Sequence, residues 1–259
     1  KFQSADIMDL GIFLRSCQNI NWPKGNDMTN PMLGHYIRLT EFLGHTLGPD
    51  YEVALHDLTD KNRSIVAIAN SHVSGREVGA PLTNMALKIL MDKSYEKQDY
   101  ITHYRGVSAE GRTLRSSTLF IKHNGKLIGM LCINFDDSRY HAVSESILHL
   151  CHPDQFVDTN FQVDETRISD TPYALPAVEQ FHNSSGGVAE DAVLRELKRL
   201  GLSPVRLTPE ERLQIIHTLE SDGIFLLKGA VKSVADILQC SQASVYRYLS
   251  QIRRERAAE

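Results

Sequence analysis

Between Ser233 and Leu249 the chain reads Ser-Val-Ala-Asp-Ile-Leu-Gln-Cys-Ser-Gln-Ala-Ser-Val-Tyr-Arg-Tyr-Leu: two short amphipathic segments meeting at a tight polar joint. Small Ala235 lets the segments approach each other. Val245 with Tyr248 or Leu249 gives the second segment an apolar underside. This is the residue logic of a helix-turn-helix, in which the second helix is clamped so that its outer face enters a DNA major groove. Gln239 stands where many such joints carry Gly, so it has to accept a tight turn.

If the second helix begins near Ser241 or Gln242, burying Val245 and Leu249 turns Gln242, Ala243, Ser244, Tyr246, Arg247 and Ser250 outward. Gln242 then suits an adenine edge and Arg247 a guanine or a phosphate. Ser241 or Ser244 suits a phosphate at the helix N-terminus, and Tyr246 shares the same exposed face. Arg253, Arg254 and Arg256 continue as backbone contacts. Helix pairs of this composition also occur in plain bundles, so charge has to arbitrate. The net charge is −4, yet Lys228 to Glu259 carries six basic against three acidic side chains, a surplus of three on an acidic body. A positive end on such a body fits double-stranded DNA as partner. Half-sites one helical turn apart then imply a homodimer or a larger even oligomer.

The 259 residues, 42% hydrophobic, suffice for one sizeable core and a smaller second domain. The longest apolar runs, such as Leu127 to Phe135, are too short to span a bilayer, so no membrane partner is expected. Cys17, Cys132, Cys151 and Cys240 are scattered without paired spacing, which reads as a reduced, cytoplasmic protein. No basic–apolar–small signal segment opens the chain. It begins at Lys1 rather than Met, as if an upstream stretch had been removed or left out.

Residues 1–29 form an N-terminal segment with a helical pattern around Ile7 to Cys17 and a turn cluster at Asn-Trp-Pro-Lys-Gly-Asn. Asn30-Pro31 opens a helix that Gly48-Pro49 stops. Tyr51 to Leu58 and Ser64 to Asn70 read as a hairpin, and Leu82 to Met91 as a helix. Leu114 to His123 and Lys126 to Phe135 flank Asn124-Gly125, a strong hairpin-turn signal. Arg139 to Leu150 is a further helix. The fold class is therefore α+β: over residues 30–150 a PAS-like antiparallel sheet with covering helices, then a small all-α helix-turn-helix domain. Residues 151–187, with Pro153, Pro172, Pro176 and Ser184-Ser185-Gly186-Gly187, read as a linker. Residues 188–259 hold a helical connector, a helix capped at Thr208-Pro209-Glu210-Glu211, and the helix-turn-helix.

Polar residues on apolar strands mark a pocket. His56 and Asp57 interrupt one strand, Asn134 and Asp136 another, and Arg115-Ser116-Ser117 opens a third. Alternation puts Ile128, Met130, Cys132 and Asn134 on one face, so Asn134 is placed for a ligand if Cys132 lines the pocket. Asn70 ends the apolar run from Ile65 and counts among the candidates. An Arg in such a site takes a carboxylate, and Arg115 or Arg76, with Ser74, Ser116 or Ser117, would hold that of an amino-acid-like metabolite. A structural Arg paired with Asp57 or Asp136 is the competing reading. His149-Leu150-Cys151-His152 lacks a second ligand pair at metal spacing, and no phosphate loop or haem or flavin signature stands out. No cofactor and no metal are expected.

Glu52–Leu58, Ile65–Asn70, Ser74–Arg76, Gly79–Thr83, Gly111–Thr118 and Leu131–Asp136 together resemble the YheO-like PAS family of bacterial transcriptional regulators. Gly223–Val231 through Tyr246–Leu249 looks like that family's helix-turn-helix, and Ser244–Leu249 is also similar to the recognition helix of site-specific DNA recombinases. The resemblance runs from about Asn30 to Arg254. It implies a cytoplasmic one-component regulator, a PAS-like sensor of a small metabolite coupled to a DNA-binding module. Two other readings stand beside it. One is a small-metabolite enzyme using the α/β domain with a C-terminal dimerisation bundle; the other is an interaction module without a ligand.

Overall fold

The computed structural model describes residues 31–151 and 178–258. The helical reading of Ile7 to Cys17, the turn cluster after it, the Asn30 cap and most of the linker lie outside the described residues. After a single 3-10 turn, Pro31–Leu33, the helix α1 (Gly34–Leu47) ends at Gly48, whose φ of 92° only a glycine adopts without strain. There follow β1 (Tyr51–Asp57), β2 (Ile65–Ala69), α2 (Asn84–Asp92), β3 (Tyr100–Val107), β4 (Thr113–His123), β5 (Lys126–Phe135) and α3 (Ser138–Cys151). Next come β6 (Glu179–Gln180), α4 (Ser185–Leu200), α5 (Pro209–Ser221), α6 (Ala230–Ile237) and α7 (Gln242–Ala258).

The sheet order is β2-β1-β5-β4-β3-β6, with every pair antiparallel except β3 with β6. The hairpin read at Asn124-Gly125 is present; both residues have positive φ, 49° and 75°, as a two-residue turn of the right twist requires. Two elements go beyond the sequence reading. The strand β3 carries outward polar residues and a register shift around His103, which sits at φ 58°; the break hides its alternation. The parallel β6 is two residues long and lies in the stretch read as linker.

The strand β1 is buried on both faces. On one side Leu33, Tyr36, Ile37 and Leu43 of α1 and the turn before it pack against Val53, Leu55, Ile121 and Leu131. On the other, Phe120, Met130 and Ile101 join Met85 and Leu87 of α2, and that cluster continues without interruption into Val193, Ile216, Leu219, Val245 and Leu249. The C-terminal helices therefore share their core with the sheet. Polar links reinforce the junction. Asn62 Oδ1, in the β1–β2 loop, accepts from Ser185 Oγ at 3.0 Å and from the Lys228 backbone N–H at 2.7 Å.

Candidate effector pocket and nucleic-acid interface

Thr208 caps α5 in a reciprocal box with Glu211, which fixes where that helix starts. Ile215, Ile216 and Leu219 of α5 then form the floor on which Val234, Ala235 and Leu238 of α6 and Val245, Leu249 and Ile252 of α7 are buried. The joint closes through Gln239 at φ 50°, which does accept the left-handed turn, and the Cys240 N–H donates to the Ala235 carbonyl at 3.0 Å. Ser241 precedes α7 with its Oγ accepting from the Ser244 N–H at 3.1 Å.

With the underside fixed, Ser241, Gln242, Ala243, Tyr246, Arg247 and Ser250 are exposed, and Ser244 is half-buried with its hydroxyl against Ser241 Oγ. The Arg247 guanidinium lies 5.4 Å from the Tyr248 ring centre, which braces it along the helix. The terminal arginines differ from one another. Arg253 Nε donates to Glu220 Oε1 at 2.8 Å, and this pairing holds its guanidinium pKa up; it is engaged within the molecule. Arg254 is exposed and donates to the Ser250 carbonyl, and Arg256 touches Ser221.

A second polar assembly lies inside the sheet. The register sets Glu52 of β1, Asn134 of β5, Ser116 of β4 and Tyr104 of β3 in one row on the face toward α2, and all four are buried. Glu52 accepts from Ser74 Oγ at 2.5 Å, the Ser74 N–H at 3.2 Å and Asn134 Nδ2 at 2.8 Å. Burial nevertheless outweighs these bonds and raises its pKa to about 7. Arg76 comes in from the loop after β2, bonds the Pro81 carbonyl through Nη2 and sits 5.9 Å from the Phe181 ring centre. Glu179 of β6 accepts from Thr83 Oγ1 at 2.6 Å, and burial raises its pKa too. Tyr104 Oη and Thr118 Oγ1 are 2.8 Å apart, and Thr118 Oγ1 lies 3.2 Å from Cys132 Sγ, a thiol that burial pushes up to about 12.

Four buried atoms in this assembly meet no partner at hydrogen-bonding geometry: Arg76 Nε, Asn134 Oδ1, Ser116 Oγ and Glu179 Oε2. Ser116 and Tyr104 are still near enough to the Glu179 carboxylate to lower its pKa. The Arg76 charge already faces the Glu52 and Glu179 carboxylates, and its Nε with Asn134 Oδ1 is the donor and acceptor that a small polar ligand could satisfy.

Of the residues chosen from sequence, Ser74, Arg76, Ser116 and Asn134 gather here. His56 lies on the same face of β1, but its Nδ1 is 2.9 Å from Ser64 Oγ, whose proton goes to the Ala80 carbonyl; burial, then Arg76, keeps the imidazole neutral. Asn70 is elsewhere, at φ 56°, donating Nδ2 to the carbonyls of Gly44, Gly48 and Tyr51 and so tying α1 to the sheet. Arg115 and Ser117 point from the opposite face of β4. Arg115 is exposed over Phe135 at 5.0 Å, and Ser117 Oγ accepts from the His103 N–H. The arginine that pairs with Asp136 is Arg112. Glu52, Tyr104, Thr118 and Glu179 were not anticipated. Glu52 had a signal, a carboxylate four residues before His56 on the same strand face; Glu179, in a polar stretch, had none.

Two family profiles match the chain: that of the YheO-like PAS domain over residues 27–152 and that of a helix-turn-helix domain over residues 189–250. The uncharacterized protein YheO of Escherichia coli K12 is 27% identical over 226 residues, covering 86% of this chain and 85% of that protein. An uncharacterized protein of Haemophilus influenzae is 25% identical over 233 residues, 88% of this chain and 95% of its own. The transcriptional regulator DauR of Pseudomonas aeruginosa is 26% identical over 229 residues, 86% and 96% of the two chains. None of the described helices is long and apolar enough to cross a membrane.

Proposed function

The chain belongs to the YheO-like PAS family with a C-terminal helix-turn-helix, and on that premise we propose a cytoplasmic, dimeric one-component transcriptional regulator whose sheet pocket takes a small effector that alters operator binding. The effector is amino-acid-like. Its carboxylate satisfies Arg76 Nε, and an N–H donor satisfies Asn134 Oδ1. DNA is read through Gln242, Arg247 and the exposed start of α7, with Arg254 toward the phosphates.

The observation that carries the sensing half is where Glu179 and Phe181 sit. Both belong to the buried polar assembly, and both lie within six residues of Ser185, where α4 begins. A ligand that rearranges the Glu179 carboxylate therefore acts on the segment leading into the helices that hold α6 and α7. An effector shifts operator affinity only by its differential affinity for two such arrangements.

The test is a gel shift on the DNA upstream of the protein's own gene cluster, with and without a panel of carboxylate metabolites. We expect specific, salt-sensitive binding that at least one metabolite changes in the wild type and fails to change in Arg76→Met. Binding indifferent to every metabolite removes the sensor. Failure to bind any duplex removes the regulator.

A further inference from the structure

The helix α3 (Ser138–Cys151) has fourteen residues and none of them is buried. A helix of that length is marginal in water without a packing partner. Yet Tyr140, Val143, Ile147 and Leu150 stand 57%, 60%, 54% and 83% exposed. Their spacing of three, four and three is a stripe of period 3.5, the seam into which a second helix sets its side chains as knobs into holes. Apart from Tyr140, whose ring lies 5.6 Å from that of Phe135 at the base of the helix, the stripe is not the side turned to the body of the molecule. Ser144 and Leu148, the half-buried residues of α3, lie roughly 100° around the helix from it. Charge is kept off the seam as well: Arg139 pairs with Asp50, His141 lies against Asp137 and His149 against Glu145.

We propose that α3 is the dimerisation helix, its seam packed against α3 of a second copy of this chain. An uncharged seam offers nothing to a nucleic acid or a charged peptide, whereas a three–four repeat is complementary to itself. Within 152–177 no four apolar residues repeat the three–four–three spacing. Area points the same way. Four such side chains remove on the order of 400 Å² per copy, about half of the ~800 Å² a standard interface takes from each partner. Leu39, Phe42 and Leu47 expose further apolar surface on α1, whose end is tied to the base of α3 by Arg139 on Asp50 and by the Asp136 N–H on the Asp50 carbonyl. The choice of a second copy rests on the regulator reading only in that two recognition helices need a two-fold axis; the assay below reads mass, not DNA, so either can fail alone.

Sedimentation equilibrium of the full chain tests it, comparing the wild type, Ile147→Glu, Ile147→Lys and an equal mixture of the two variants. The seam is solvent-facing in one copy, so neither substitution disturbs the core. We expect a dimeric wild type, variants whose dissociation constants rise roughly a hundredfold, and a mixture that regains the dimer because opposite charges meet across the seam. A monomeric wild type, a variant that stays dimeric, or a mixture that stays monomeric overturns the proposal. The cover would then have to be sought elsewhere, as in Ile7, Leu10, Leu14 and Cys17, which repeat the same spacing.

Discussion

Glu52 shows how much a single buried carboxylate does to this molecule. Its pKa rises from an ordinary 4.5 to about 7 because burial disfavours the charged form more than Ser74 and Asn134 favour it. The folded state thus binds this proton more tightly than the unfolded chain. The stabilisation is complete below about pH 4.5 and is lost as pH climbs through 7. His56 works in the opposite sense: its depressed pKa gives stability above its ordinary 6.5 that is lost on acidification. Only a difference between proteins separates the two. Urea unfolding of wild type and Glu52→Gln at pH 5 and pH 8 should show the variant gaining about 2–3 kcal/mol on the wild type over that interval. A constant difference would mean that Glu52 titrates normally. Much of this site was legible: alternation along β5 placed Asn134 on the inner face. Arg115 was misassigned because the same alternation along β4 fixes Ser116 inside and its neighbours outside, and one residue of phase reverses the face.

At the scale of elements, the legible parts were those with local signals. The Asn124-Gly125 turn, the Thr208 capping box and the apolar underside of α7 each follow from residues within a few positions of one another. The strands β3 and β6 depend on partners far along the chain, and neither a broken alternation nor a two-residue pairing leaves a trace in sequence. The same non-local logic joins the sheet to the C-terminal helices. Asn62 Oδ1 is a shared acceptor for the start of α4 and for the turn before α6. Asn62→Ala removes both bonds and should lower stability by about 1–2 kcal/mol in urea unfolding. On the proposed function, effector binding by calorimetry should persist while the effector's influence on duplex affinity shrinks. If that influence survives at full size, the coupling runs through another contact.

The whole molecule combines a sheet whose inner face holds unsatisfied polar groups with a helical end whose outer face is polar, joined through one apolar core. On the proposed function, that continuity is the route by which a change at Glu179 would reach α7, since core packing transmits displacement rather than absorbing it. The outward face of α7 is the part on which the regulator account stands, and fluorescence anisotropy of a labelled operator duplex, titrated with wild type and Arg247→Ala at two salt concentrations, tests it most directly. We predict tight wild-type binding that weakens with salt, and an Arg247→Ala loss of roughly 1–3 kcal/mol that relaxes preference for the operator over a scrambled duplex. Equal affinity of both proteins for both duplexes would contradict the assignment of α7 as the helix that reads DNA.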